Sequence, residues 1–254
     1  MKDVPIALKE LLIGRPKRAL AFSGGTDSSY LLWACIELGM DVRPYFVKGA
    51  FQTDSELERA NDFCERLGVV LTVIEVDILA DEEIISNPED RCYLCKRKVF
   101  SMIRDVSSKD GCFDIMDATN ASDDPAIRPG MRALAELGVL SPLKECGLTK
   151  PEIRELSRLA GLDNWDVPSD SCLATRILTG YRITADDLRK VESAEREIRE
   201  LGFRDFRVRS FDSRCRLDTV PTQSELLERK RDEVECILLR YFDSVSYGSR
   251  VPSL

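Results

Sequence analysis

The string Ser23-Gly24-Gly25-Thr26-Asp27-Ser28 closes a short apolar run and opens a helical pattern. Its glycines free the backbone to fold closely around an anion. A helix start aims unpaired N–H groups and a positive dipole end at such an anion. The hydroxyls of Ser23, Thr26 and Ser28 add donors. The GxxxxGK[ST] spacing is absent, so this is not a Walker-type loop. A plain turn between strand and helix would account for Gly-Gly alone, not for the whole string. Sulfur chemistry is offered elsewhere. Cys92 and Cys95 form a CxxC in RCYLCK, suited to one metal or cluster, or to a redox disulfide. Cys172, in PSDSCLATR, stands in irregular sequence near Arg176, and positive charge favours a thiolate. It is either a reactive or ligating thiol or a loop cysteine without chemistry.

The elements that must position these groups alternate. Ala19–Phe22 reads as a buried strand and Ser28–Leu38 as a helix closed by Gly39. Val42–Val47 is a second strand, which Pro44 marks as irregular or at an edge. Thr53-Asp54-Ser55-Glu56 resembles a capping box; the helix it starts buries Leu57, Ala60, Cys64 and Leu67 and stops at Gly68. Val69–Val76 is a β-branched strand, Lys96–Val106 a helix, and Phe113–Met116 a short strand. This rhythm predicts an α/β fold, a parallel sheet with helices on both faces. Ligands of such sheets bind beyond the carboxyl ends of the strands, where Ser23–Ser28 falls. Thr149-Lys150-Pro151-Glu152 starts a further helix, ending near Gly161. Residues 163–180 have no period and read as a functional loop and hinge. Beyond Ile183, Thr184 caps a long helix to Leu201. Strands at Phe206–Phe211 and Cys215–Thr219, a helix from Gln223 and a final strand at Glu235–Phe242 complete a smaller α+β domain. The expected organisation is 1–165, a loop at 166–182, and 183–254.

Composition narrows the chemistry. The 254 residues include 45 acidic and 37 basic side chains, a net charge of −8. That disfavours generic binding to nucleic acid or to anionic membrane. No apolar run approaches the about 20 residues that span a bilayer. MKDVPIALKELL carries no signal-peptide core, so a cytoplasmic location is expected. The chain has no histidine, which removes imidazole catalysis and imidazole metal ligation. Its nine cysteines are odd in number, against a disulfide framework. Cys35, Cys64 and Cys236 sit in apolar periodic segments and read as core filler. Cys112, Cys146 and Cys215 carry no signal.

The loop resembles the PP-loop of ATP pyrophosphatases, which cleave ATP to AMP and pyrophosphate. In order and spacing, SGGTDSS, RCYLCKRKVF, DATNASD, RPGMRALAELGVLSPL, GLTKPEIRELSR and SDSCLATRI resemble the LarE family of ATP-dependent sacrificial sulfur transferases, from about Lys17 to Phe211. The resemblance implies adenylation of a pyridinium carboxylate mononucleotide and replacement of the activated oxygen by sulfur, a step towards the nickel-pincer nucleotide cofactor. One family version sacrifices a cysteine sulfur, at the position of Cys172. Another holds a 4Fe–4S cluster on three cysteines, here Cys92, Cys95 and Cys172, and this chain matches the second. A cluster held by three thiolates leaves one iron open for an extra sulfide.

The resemblance further implies ATP and Mg²⁺ as cofactors, a sulfide donor and a homo-oligomer. Ser23, Gly24, Gly25, Thr26, Asp27 and Ser28 would hold ATP. Asp27 is a candidate for positioning Mg²⁺ or a helix cap. Asn120 and Asp123 match a stretch lining the nucleotide site, or are turn residues. Lys96 and Arg128 are candidate charge stabilisers or solvated charges. Thr175, Arg176, Glu195, Arg207 and Arg209 match positions around the substrate nucleotide. Arginines at i and i+2 on a strand share a face and suit phosphate, as they suit an exposed charged face. The chain departs from the family after Arg209, where SFD replaces a histidine-containing turn, and at DSVSYG, where Gly-Tyr-Arg is usual. Rival readings are a PP-loop tRNA thiolase, disfavoured by the acidic charge, and a non-catalytic iron–sulfur or sulfide carrier, which leaves the ATP loop unexplained.

Overall fold

The computed structural model describes residues 4–14, 17–124, 129–168 and 171–251. In chain order its elements begin with α1 (Ile6–Leu12), β1 (Arg18–Ala21), α2 (Thr26–Glu37), β2 (Val42–Lys48), α3 (Asp54–Arg66), β3 (Thr72–Glu75), α4 (Glu82–Ile85) and α5 (Arg91–Lys109). They continue with β4 (Asp114–Met116), α6 (Gly130–Glu136), α7 (Pro142–Glu145), α8 (Lys150–Ala160), α9 (Ala185–Glu200), β5 (Phe206–Phe211), β6 (Arg214–Thr219), α10 (Ser224–Leu239) and β7 (Ser244–Ser249). The chain divides into two compact units. The first comprises Met1–Gly49, Asp54–Val76 and Cys92–Val167; the second, Ala50–Thr53, Asp77–Arg91 and Pro168–Leu254.

The first unit is built on a parallel sheet of order β3-β2-β1-β4. Successive strand residues point to opposite faces, and here both faces are apolar. Leu20, Phe46 and Met116 pack on one side with Leu8, Leu31, Phe63, Leu143 and Ile153. Ala19, Tyr45 and Ile115 pack on the other with Phe100, Ile103 and Leu134. Helices α1, α2, α3, α7 and α8 thus supply one layer, and α5 and α6 the second. The expected α/β architecture with helices on both faces is the one observed.

Pro44 does not mark an edge, because β2 lies between β1 and β3. Its neighbour Tyr45 faces β1, since the Tyr45 carbonyl accepts from the Phe22 N–H at 2.8 Å. Pro44 therefore faces the β3 side, where the register begins one residue later, at Tyr45↔Thr72. The missing N–H falls just before that ladder starts, so no bond is lost.

In the second unit, β5 pairs antiparallel with β6 and β6 pairs parallel with β7. Leu188, Val191, Ala194 and Ile198 bury one face of α9 together with Phe203, Phe206, Val208 and Leu217. The expected strand at Glu235–Phe242 is instead the end of α10. Buried Val234, Ile237 and Leu238 are spaced three and four apart, while Cys236 and Leu239 are exposed. A short apolar run does not by itself distinguish the two periods. The last strand is the more polar β7, SVSYGS. Among the described residues no helix is long and apolar enough to cross a membrane.

Candidate active site

Strand β1 delivers the chain to Ser23, and α2 begins at Thr26, two residues earlier than its pattern suggested. Gly24 has φ +70°, and a Cβ there would lie 3.1 Å from Ala60 on α3. Conformation and space both call for glycine at this corner. Ser28 Oγ donates to the Gly25 carbonyl at 3.1 Å and lies 3.1 Å from Ser23 Oγ. Thr26 Oγ1 donates to the Asn164 carbonyl at 2.8 Å, and Asn164 Nδ2 donates to Ser29 Oγ at 2.8 Å. The loop is closed on itself and braced from the segment after α8. Gly25 caps the α2 N-terminus, an end whose dipole favours negative charge.

Asp27, in the first turn of α2, accepts from Lys150 Nζ at 2.8 Å on one oxygen and from Asn120 Nδ2 at 3.1 Å on the other. Asn120 is fixed in turn, its N–H donating to Asp123 Oδ2 at 3.0 Å and its Oδ1 accepting from the Ser122 N–H at 2.8 Å. Ser122 Oγ accepts the Lys150 N–H at 3.0 Å. Thr149 and Glu152 close a capping box on α8, and the bond from Thr149 holds the Glu152 carboxyl below its usual range. Lys150 is thereby presented to Asp27. A cation in the first turn of a helix opposes the helix dipole, and the carboxylate of Asp27 offsets it.

Cys92 and Cys95 lie in the first two turns of α5, which begins at Arg91 rather than at Lys96. At i and i+3 they share one helical face. Tyr93 between them donates to Glu136 at 2.7 Å, and the Arg132 guanidinium lies 3.8 Å from its ring centre. Lys96 lies against Gly130 at the start of α6, where a Cβ would fall 2.8 Å from Lys96 Cδ and 3.3 Å from the Cys92 carbonyl oxygen. Glycine permits that approach. Arg128 lies outside the described residues.

Cys172 belongs to the second unit, as the cap of a 3-10 turn, Leu173–Arg176. Arg176 and Glu195 form a two-pronged pair at 3.0 and 3.1 Å, with side chains 1% and 2% exposed. Glu195 also accepts the Val208 N–H at 3.0 Å and Arg199 at 3.3 Å. Such a pair holds its geometry because both carboxylate oxygens are bonded at once. Arg209 donates to the Thr175 carbonyl at 2.6 Å and to Asp218 at 3.2 Å; Asp218 also takes Arg216 at 2.7 Å. Arg207 is buried, with Nη1 donating to the Phe206 carbonyl at 2.6 Å. Thr175 Oγ1 donates to the Cys172 carbonyl at 2.8 Å. Among the described residues no three Cys, Asp or Glu side chains are grouped as a metal site. The CxxC face offers a pair of sulfur donors, and the third expected cysteine is carried by the other unit.

No protein-family model matches the chain. An uncharacterised protein from Synechocystis sp. is 33% identical over 212 residues, covering 83% of this chain and 79% of the relative. Pyridinium-3,5-bisthiocarboxylic acid mononucleotide synthase of Lactiplantibacillus plantarum is 31% identical over 214 residues, 84% of this chain and 76% of the synthase. The chain belongs to the LarE family of ATP-dependent sulfur transferases. An uncharacterised protein from Methanocaldococcus jannaschii, 27% identical over 219 residues, is a further relative.

Membership of the LarE family makes the braced glycine corner a PP-loop. Around it the structure brings together Asp27, Asn120 and Asp123 of the expected LarE site. In the second unit it joins Thr175, Arg176, Glu195 and Arg209 through one another, with Arg207 alongside. Lys150, Asn164 and Asp218 were not among the candidates. Lys150 alone left a signal, a cation placed where a helix dipole disfavours it. Asn164 and Asp218 act through partners 135 and 9 residues away, which no local pattern discloses.

Proposed function

We propose that the protein adenylates a carboxylate of a pyridinium-type mononucleotide with ATP and replaces the activated oxygen with sulfur, giving a thiocarboxylate for nickel-pincer cofactor biosynthesis. The similarity to the Lactiplantibacillus plantarum synthase over 84% of this chain carries the reading. The PP-loop and the α2 N-terminus would hold the triphosphate, with Asp27 positioning Mg²⁺ and Lys150, Asn120 and Asp123 positioning Asp27. A substrate carboxylate oxygen attacks the α-phosphorus and pyrophosphate leaves. Donors fixed around the loop stabilise the charge on the leaving group. Carboxylates are poor electrophiles; the acyl adenylate carries AMP as a good leaving group.

Sulfur then attacks the acyl carbon and AMP departs. Lys96 and Arg128 would offset charge on the phosphates. The substrate phosphate would meet Arg209 and Arg207, with Thr175, Arg176 and Glu195 holding their surroundings. Cys92, Cys95 and Cys172 would hold a 4Fe–4S cluster, which when bound supplies an open iron for the sulfide to be transferred. A sulfide donor would replenish it, and a homo-oligomer is the expected working form. In a second reading, the single-cysteine version of the family, Cys172 gives up its own sulfur. There its sulfur forms a thioester with the acyl group, and elimination leaves dehydroalanine and the thiocarboxylate.

The test is anaerobic iron and sulfide analysis together with pyrophosphate release assayed with and without the pyridinium carboxylate mononucleotide. Carboxylate-dependent release with about four irons per chain is the expected result. A colourless protein lighter by hydrogen sulfide after turnover selects the second reading. Release that ignores the carboxylate overturns both.

A further inference from the structure

The turn that begins at Cys172 is a single 3-10 turn, closed locally by the Thr175 N–H on the Cys172 carbonyl at 3.0 Å. Further supports come from distant parts of the second unit. The Leu173 N–H donates to the Phe51 carbonyl at 2.9 Å, and the Leu178 N–H to the Ser210 carbonyl at 3.1 Å. Arg91, 7% exposed, donates from Nη1 to the Ala174 carbonyl at 2.8 Å and to Asn87 Oδ1 at 2.6 Å. Asn87 is fully buried. Its Nδ2 donates to the Leu178 and Tyr181 carbonyls at 2.8 and 3.0 Å, with the Ile177 carbonyl at 3.4 Å. Its own carbonyl accepts the Gly180 N–H at 2.9 Å.

These contacts surround the turn. The carbonyls of residues 174, 178 and 181 each accept from one of two side chains that are bonded to each other, and the first two also accept the Ile177 and Tyr181 N–H groups. Asn87 sits at φ +59°, a conformation that Asn tolerates better than other side-chain residues. A strained residue of this kind persists where its surroundings over-determine it. Arg91 is also the first residue of α5, directly before Cys92.

We infer that Asn87 and Arg91 are positioning residues for the Cys172 sulfur. They form a two-residue clamp that fixes the cysteine turn to the chain just ahead of the CxxC. The inference rests on Cys172 as the residue of sulfur transfer, and it assigns the clamp to that step rather than to nucleotide binding.

Asn87→Gly keeps the left-handed backbone and deletes the amide. Arg91→Met deletes the guanidinium, and Arg91→Lys restores one donor. Each is compared with the wild-type full-length protein by iodoacetamide labelling of Cys172, read by peptide mass spectrometry, and by the kcat and ATP KM of thiocarboxylate formation. Deleting either clamp residue should speed Cys172 labelling roughly tenfold by freeing local opening. It should lower kcat by a similar factor, leave the ATP KM within about twofold, and be partly rescued by Arg91→Lys. Folded variants with wild-type labelling overturn the inference, as does an ATP KM that rises in step with the fall in kcat. If Asn87→Gly fails to fold, the Arg91→Met and Arg91→Lys pair decides on the same readouts. If wild-type protein makes no thiocarboxylate, the proposed function falls while labelling still decides whether the clamp sets Cys172.

Discussion

The PP-loop and the Cys172 turn are built in opposite ways. The PP-loop takes much of its shape from itself: Ser23, Gly25 and Ser28 bond one another within five residues, and Gly24 turns a left-handed corner that strains any side chain. The Cys172 turn takes its main supports from elsewhere. Arg176 reaches Glu195 across 19 residues, Ala174 is held by Arg91 across 83, and Leu178 by Asn87 across 91. The glycine loop is specified largely by local backbone geometry. The Cys172 turn is specified by packing, and its distant supports leave no local pattern in the sequence.

Separating the chemistry of the regions should give the largest effect. Cys172→Ala should cut thiocarboxylate formation by roughly a thousandfold or more while leaving carboxylate-dependent pyrophosphate release within about threefold. Loss of both activities together would merge the two regions and break the comparison. The mirror experiment is Asp27→Asn, which should slow pyrophosphate release by about a hundredfold and leave Cys172 labelling unchanged. Stability should follow the same division. Glu195→Ala strands Arg176 as a buried charge and should cost about 3–5 kcal/mol in urea denaturation. A cost near that of an exposed pair would mean the turn does not depend on α9. Gly24→Ala should cost about 1–2 kcal/mol for its left-handed backbone, with a further penalty if Ala60 does not yield.

The smallest effect concerns the thiols that neither region uses. Burial pushes Cys35, Cys64 and Cys215 from 9.0 up to about 12. Above pH 9 the unfolded chain loses these protons while the folded chain keeps them, so unfolding gains. Their contribution is full below pH 9 and declines as the pH rises towards about 12. The urea midpoint should be flat up to pH 9 and fall beyond it; a midpoint that rises there would refute the burial argument.

How much was legible follows from the same distinction. Gly39 and Gly161 closed helices as their positions implied, with φ +69° and +76°. The capping box at Thr149 and Glu152 and the Thr184 cap also formed. Each of these acts within a few residues. The strand expected at residues 235–242 is the end of a helix because so short an apolar run fits either period, and only the buried face of α10 distinguishes them. Of the two readings of Pro44, the edge fails because edge or interior is decided by a neighbouring strand.

By itself, then, the sequence determined the α/β alternation, the glycine corner before α2 and the types of the chemical groups, since these depend on local backbone preference and side-chain identity. Tertiary structure alone decided that Asp27 meets Lys150, that Arg176 is buried against Glu195 and that Asn87 and Arg91 hold the cysteine turn. Those bonds join residues far apart in the chain, and their partners are chosen by which surfaces the folded layers bring together.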